Sequence, residues 1–217
     1  MKQLKHVGII PDGMRRWSAS KNISLIKSYK STYNLSEKII SFFFNNNVSI
    51  LSVYALSSDN LKRDSLELLA IKKTLLFFIN NYLYDICNKW GAKFIAVGNY
   101  KELDDNKLTN SIHKLEKNTK FNNKKKIYAL INYDPFFEIS KINRINKKQI
   151  SLDDFFVKEP VDLLIRTGSV RRTSNFLPLQ ISYAELYFIN KLFTETHLKD
   201  YQAALNYYYS VKRKFGK

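Results

Sequence analysis

Asp12 stands between Pro11 and Gly13 and is followed by Met14-Arg15-Arg16-Trp17. A second polar run, Arg166-Thr167-Gly168 with Arg172-Thr173-Ser174, comes late in the chain. These residue types handle phosphate. A guanidinium is a rigid planar fork that grips two phosphate oxygens at once, which a lysine ammonium cannot imitate. The N–H groups that open a helix favour anions, and a carboxylate beside them can hold Mg²⁺ against phosphate oxygens. Alone, Asp12 would read as a helix cap. Together with Arg166, Arg172 and Ser174 it reads as part of a diphosphate site.

The arginines are not placed like the lysines. The chain holds 28 Lys and 8 Arg, and six of the arginines (Arg15, Arg16, Arg63, Arg166, Arg171 and Arg172) fall in three short segments. A formal net charge of +17 would suit nucleic acid, an anionic membrane or a phosphorylated ligand. Scattered lysines read as solvated surface, whereas clustered arginines point to small phosphorylated ligands over DNA.

Other phosphate and metal chemistries fit less well. Gly8-x4-Gly13 has P-loop spacing, but Met14-Arg15 follow where Lys-Ser/Thr is required, and no G-x-G-x-x-G is present. Asp104-Asp105 and Asp153-Asp154 lack a third Asp three residues on, so the aspartate-rich metal motif of all-helical prenyl synthases is absent. His6, His113 and His197 are isolated and read as surface or hydrogen-bonded histidines. The single Cys87 excludes an intramolecular disulfide or a multi-cysteine zinc site and fits a reducing cytosol.

The elements that must position these residues alternate. Strands are expected at His6–Ile10, Ser49–Ala55, Lys93–Val97, Lys126–Ile131, Val161–Ile165 and Ala184–Phe188. Helical spacing covers Tyr29–Asn46, Asp64–Lys89, Glu102–Lys117, Phe136–Ile145 and Leu198–Phe215. Alternation of this kind predicts an α/β fold: one mostly parallel sheet flanked by helices on both faces. In such sheets ligands bind outside the carboxyl ends of the strands. The three motif loops, PDGMRRW, SSDNLKR and RTGSVRRTSN, each follow a strand and would meet at that rim. With 217 residues, 45% hydrophobic and 14% aromatic, the chain can bury one sizeable core, so residues 1–217 are read as a single domain. No apolar run approaches the roughly 18 residues of a membrane span, and the N-terminus reads as a strand and turn. A cytoplasmic protein is expected.

Three blocks, HVGIIPDGMRRW (6–17), LSVYALSSDNLKR (51–63) and VDLLIRTGSVRRTSNFLPLQISYAELYF (161–188), resemble the cis-prenyltransferase family, or undecaprenyl diphosphate synthase-like proteins. The closing FTETHLKDYQAALNYYYSVKRKFG (193–216) is similar to its last helix, so the resemblance spans the chain in order. It implies a homodimer of α/β subunits and a hydrophobic tunnel between two helices. The implied reaction is attack of a prenyl alkene on an ionising allylic diphosphate, with Mg²⁺ assisting release of pyrophosphate. Carried over by position, Asp12 matches the metal-linked aspartate. Gly13, Arg15 and Arg16, with neighbours Met14 and Trp17, match the allylic diphosphate cradle. Ser57, Asn60 and Arg63 match a mobile loop, with Asp59 where Glu is usual. Arg166, Arg172 and Ser174 match a second diphosphate pocket, and Glu185 a carboxylate that helps hold metal.

The departures carry information too. Met14 replaces the usual Asn, and Leu25 and Tyr29 replace an Arg and a His of chain-elongating members. Gly168-Ser169-Val170 replaces Gly-Gly-Glu, Leu61 an aromatic, and Asp134-Pro135 a Gly-Gly turn. PDGMRRWS, Leu25, Tyr29 and Pro178 look like the lavandulyl and cyclolavandulyl diphosphate synthase branch. The leading expectation is therefore head-to-middle coupling of two dimethylallyl diphosphates. The alternatives are regular Z-chain elongation with isopentenyl diphosphate, and a catalytically silent partner subunit. A nucleic-acid-binding domain is disfavoured because the abundant Tyr and Phe read as core. A greasy product leaves peripheral membrane contact open.

Overall fold

The computed structural model describes residues 3–143 and 149–212. Its strands are β1 (His6–Ile10), β2 (Ile50–Ser57), β3 (Ala92–Val97), β4 (Lys125–Tyr133), β5 (Leu163–Arg166) and β6 (Glu185–Phe188). Its helices are α1 (Met14–Ser20), α2 (Leu25–Lys30), α3 (Tyr33–Asn45), α4 (Ser65–Phe78), α5 (Tyr84–Trp90), α6 (Asn106–Asn118), α7 (Pro135–Asn143) and α8 (Leu198–Ser210). The strands form one sheet, every pair parallel, in the order β3-β4-β2-β1-β5-β6. β1 thus has β2 on one side and β5 on the other. The loops leaving these three strands share the rim predicted from the sequence.

Alternate strand residues sort to opposite faces. Val7, Ile9, Leu51, Ile127 and Leu163 join a buried cluster with residues of α3, α4, α5, α6 and α8. Ile10, Tyr54, Tyr128, Leu130 and Leu164 face the other way, against Val157, Val161, Phe176 and Leu177. The sheet is flanked by helices as expected, but the cover is uneven. Helices dominate one face, and irregular chain seals much of the other.

Two expected helices are interrupted. The pattern over Tyr29–Asn46 breaks because Ser31 Oγ donates to Ser28 O at 2.7 Å and Thr32 Oγ1 to Tyr29 O at 2.6 Å. Such local bonds compete with the helical ladder, so α2 stops at Lys30 and α3 starts afresh at Tyr33. The Asp64–Lys89 stripe is one helical run in which a π turn, Ile79–Leu83, separates α4 from α5. Asp104-Asp105 serves as a cap: Asp105 Oδ1 accepts from Leu108 N at 3.0 Å to open α6. The expected helix ends at Ile145 and Phe215 lie outside the described residues.

His6 is fully buried in the sheet. Its Nε2 lies 2.8 Å from Ser52 Oγ, and its Nδ1 lies 3.1 Å from both Glu159 O and Pro160 O. Burial lowers its pKa from 6.5 to about 4. Between those values the unfolded chain takes a proton that the folded chain refuses. Stability is therefore complete above pH 6.5 and falls as pH drops toward 4, by about 3 kcal/mol in all. Denaturant midpoints measured across this range should show the slope, and His6→Gln should flatten it.

Candidate active site

The site begins where β1 ends. Gly13 turns the chain into α1 at φ +119°, and a Cβ there would come within 2.8 Å of Leu192, so only glycine suits the turn. Asp12 is pinned by its backbone: its N–H donates to Thr167 Oγ1 at 2.8 Å, and its carbonyl accepts from that hydroxyl and from Phe193 N, both at 2.9 Å. The carboxylate is thereby aimed at two arginines. Oδ2 accepts from Arg166 Nη2 at 2.9 Å and Oδ1 lies 3.4 Å from Arg16 Nη2. Gly168, at φ +88°, makes room for this group, because a Cβ would stand 2.5 Å from Arg16.

Arg166, at the end of β5, is 6% exposed. Its Nη1 donates to Arg172 O at 2.6 Å and Ser174 Oγ at 2.8 Å. Its Nε is buried without a hydrogen-bond partner among the described residues. A buried guanidinium with an unused N–H is poised for one more acceptor. Arg172 itself contributes a carbonyl to this cluster while its side chain stays exposed. Ser169, Ser174 and Asn175 all adopt positive φ in the same loop.

The loop after β2 supplies the opposite wall. Ser57 and Asn60 form a capping box, and Ser58 Oγ donates to Asp134 Oδ2 at 3.0 Å. Asp134 also opens α7, its Oδ1 accepting from Phe136 N at 2.8 Å. Asp59 turns away to pair with Lys62 at the surface. Arg63 points inward, its Nη1 donating to Glu67 Oε1 at 2.6 Å, while Glu67 Oε2 lies 3.7 Å from Arg15 Nη1. The Glu67 side chain is 4% exposed. It ties the loop to the Asp12 turn, and sequence reasoning missed it. The available signal was its place four residues after Arg63, the spacing of a helical ion pair. Tyr54 was missed as well; its OH donates to Ser174 O at 3.2 Å.

Asp12, Arg15, Arg16, Tyr29, Asn60 and Arg63 line one polar pocket. Pro11, Met14, Tyr29, Ala55 and Ile71 belong both to it and to an apolar cavity of about 150 Å³ walled by α2, α3, α4 and the sheet. A cationic mouth thus leads directly into a hydrocarbon-lined interior. Tyr29 stands at the junction, its phenol pushed up to about 12 by burial and then by the Glu67 charge, so it remains a neutral donor at pH 7.

Some expected site residues are not gathered. Trp17 and Leu25 lie outside both linings, Leu25 packing against the core. Glu185 opens β6 opposite Leu163, whereas Arg166 pairs with Phe188 at the far end. Three residues of strand, about 10 Å, separate it from the rim, so within one chain the register sets Glu185 away from Asp12. Among the described residues no group of three or more His, Cys, Asp or Glu side chains assembles a metal cage. Asp12 alone beside a diphosphate does suit Mg²⁺, which is commonly held by one or two carboxylates and substrate phosphates.

The sequence profile of a family described as putative undecaprenyl diphosphate synthase matches residues 10–216. A ditrans,polycis-undecaprenyl-diphosphate synthase ((2E,6E)-farnesyl-diphosphate specific) of Buchnera aphidicola subsp. Schizaphis graminum is 32% identical, over 99% of this chain and 92% of its own. An isoprenyl transferase of Rickettsia typhi is 34% identical over the whole of both chains. The chain belongs to the cis-prenyltransferase family. Among solved members, lavandulyl diphosphate synthase from Lavandula x intermedia, in complex with dimethylallyl diphosphate, superposes with a TM-score of 0.90 at 25% identity, covering 98% of each chain. A probable undecaprenyl diphosphate synthase from Campylobacter jejuni superposes at 0.82, with 25% identity over both full chains.

For a cis-prenyltransferase, Glu67 has a measurable consequence. Glu67→Gln removes the charge that holds Arg63 at the pocket, a bond of the charge-assisted kind worth about 1.5–3 kcal/mol. Its kcat/KM for an allylic diphosphate should fall about tenfold, carried mainly by KM. Steady-state kinetics on the variant check this.

Proposed function

We propose that this prenyltransferase elongates an allylic diphosphate with isopentenyl diphosphate to a Z-configured polyprenyl diphosphate, releasing pyrophosphate. The observation that carries the reading is the continuity of the arginine-rich pocket with the apolar cavity. Together they fit an amphiphile with a diphosphate head and a hydrocarbon tail. The undecaprenyl diphosphate synthases among the relatives above 30% identity support regular elongation over head-to-middle coupling.

In this reading Arg15, Arg16 and Arg63 hold the allylic diphosphate, with Asn60 and the Tyr29 hydroxyl as neutral donors. Arg166 and Ser174 take the second diphosphate, and the free Arg166 Nε finds its acceptor there. The allylic C–O bond breaks, the isopentenyl alkene forms the new C–C bond, and the proton lost from the adduct goes to the departing pyrophosphate. Asp12 would hold Mg²⁺, whose Lewis acidity helps the diphosphate leave. A homodimer is part of the proposal, supported by the edge position of β6, where Leu186 is 40% and nearby Tyr183 60% exposed.

A second reading, coupling of two dimethylallyl diphosphates, draws on Tyr29 at the pocket neck and on the 0.90 superposition with the lavandulyl enzyme. One pair of incubations separates them. Purified protein with Mg²⁺ receives either isopentenyl and farnesyl diphosphates or dimethylallyl diphosphate alone, and dephosphorylated products are identified by mass spectrometry and NMR. Z-configured chains in the first tube are expected. A branched or cyclic alcohol made of two dimethylallyl units in the second would establish the other reading, and silence in both would overturn the enzymatic assignment.

A further inference from the structure

α4 is apolar on both sides, which is unusual for a helix at a protein surface. Its inner side, with Ile71, Leu75 and Phe78, walls the cavity. Its outer side exposes Leu66 at 74%, Leu69 at 45% and Phe77 at 42%. Positions 66, 69, 73 and 77 follow the helical repeat, so the three apolar side chains and exposed Lys73 form one outward stripe. The one acidic residue of α4, Glu67, is buried and turned inward to Arg63 and Arg15. On the neighbouring α2, Lys27 and Lys30 are exposed, and that helix has no acidic residue.

We infer that the outer face of α4 is the surface by which this protein docks on an anionic lipid bilayer. The charge complementarity is direct: an acid-free outward stripe carrying Lys73, beside two more lysines, on a chain of net charge +17. The apolar side chains enter the boundary between headgroups and acyl chains while the lysines stay with the anionic headgroups. Large apolar side chains exposed along one helix face mark an interaction surface. The inference does not depend on which isoprenoid is made. It places the cavity wall against the lipid phase, one helix thickness from it.

The test is co-sedimentation of the full chain with vesicles of phosphatidylcholine alone or of phosphatidylcholine and phosphatidylglycerol in equal parts. Binding to the anionic vesicles is expected. The triple variant Leu66→Ser, Leu69→Ser, Phe77→Ser should bind them about tenfold more weakly or worse. Undiminished binding by the triple variant would overturn the proposal, because scattered lysines would then account for the attraction. So would loss of a self-associated state in the triple variant without vesicle binding by the parent chain, which would give the face to a second copy. Leu66→Trp keeps the stripe apolar and gives a second reading on a folded protein. A blue shift of its fluorescence on anionic vesicles, relative to the parent chain, supports insertion, and no shift overturns it.

Discussion

Asp12→Asn should abolish nearly all turnover, lowering kcat by about 10²–10³-fold, while the protein folds normally. The amide keeps the size of the carboxylate and can still accept from Arg166, so the 2.9 Å contact loses its charge but not its geometry. What disappears is the anion in the polar pocket that could hold Mg²⁺ beside a leaving diphosphate. Asp12→Ala should show the same loss of turnover. It also leaves the buried Arg166 with two acceptors, Arg172 O and Ser174 Oγ, so a drop in thermal stability should accompany it. Steady-state kinetics alongside thermal unfolding distinguish the two variants. Near-normal activity in either would sink the assignment of this pocket.

The second large effect belongs to Arg166→Lys. An ammonium on a flexible stem cannot serve Asp12, Arg172 O and Ser174 Oγ together and still present an N–H to a substrate. Charge is conserved, so the change isolates the planar fork. The expected loss is about 10²-fold in kcat/KM, from two charge-assisted bonds of about 1.5–3 kcal/mol each, partly recovered by the new ammonium. Calorimetric binding of inorganic pyrophosphate should weaken in parallel. Full activity would mean that Arg166 only braces the loop of residues 168–175.

Much of the architecture was legible because strand patterning and motif position carry it. A polar motif directly after a buried strand must emerge at the carboxyl rim of a parallel sheet, and PDGMRRW, SSDNLKR and RTGSVRRTSN do. Asp12 and Arg166 meet because β1 and β5 pair with Ile10 opposite Arg166. Glu185 shows where such reading stops. Its distance from the rim depends on the register of β6 against β5, which a strand's composition does not reveal. Glu67 was hidden for another reason: an acid four residues after an arginine on a helix is usually a solvated pair. Its burial comes from α2 packing over α4, a tertiary fact. The break between α2 and α3 rests on two hydroxyls that chose backbone partners, and the π turn on one extra residue in an otherwise regular stripe.

The pairing of Asp12 with Arg166 also sets a timetable. The two residues are 154 positions apart, and β1 cannot receive β5 until the later strand exists. At about 5–20 residues per second of synthesis, Asp12 waits roughly 8–30 s for its arginine. During that interval the β5 side of β1 is an open strand edge, the kind of surface on which nascent chains aggregate. The Asp12–Arg166 contact therefore forms only after β5 has been made, and a chain cut short before Leu163 leaves Asp12 without its arginine.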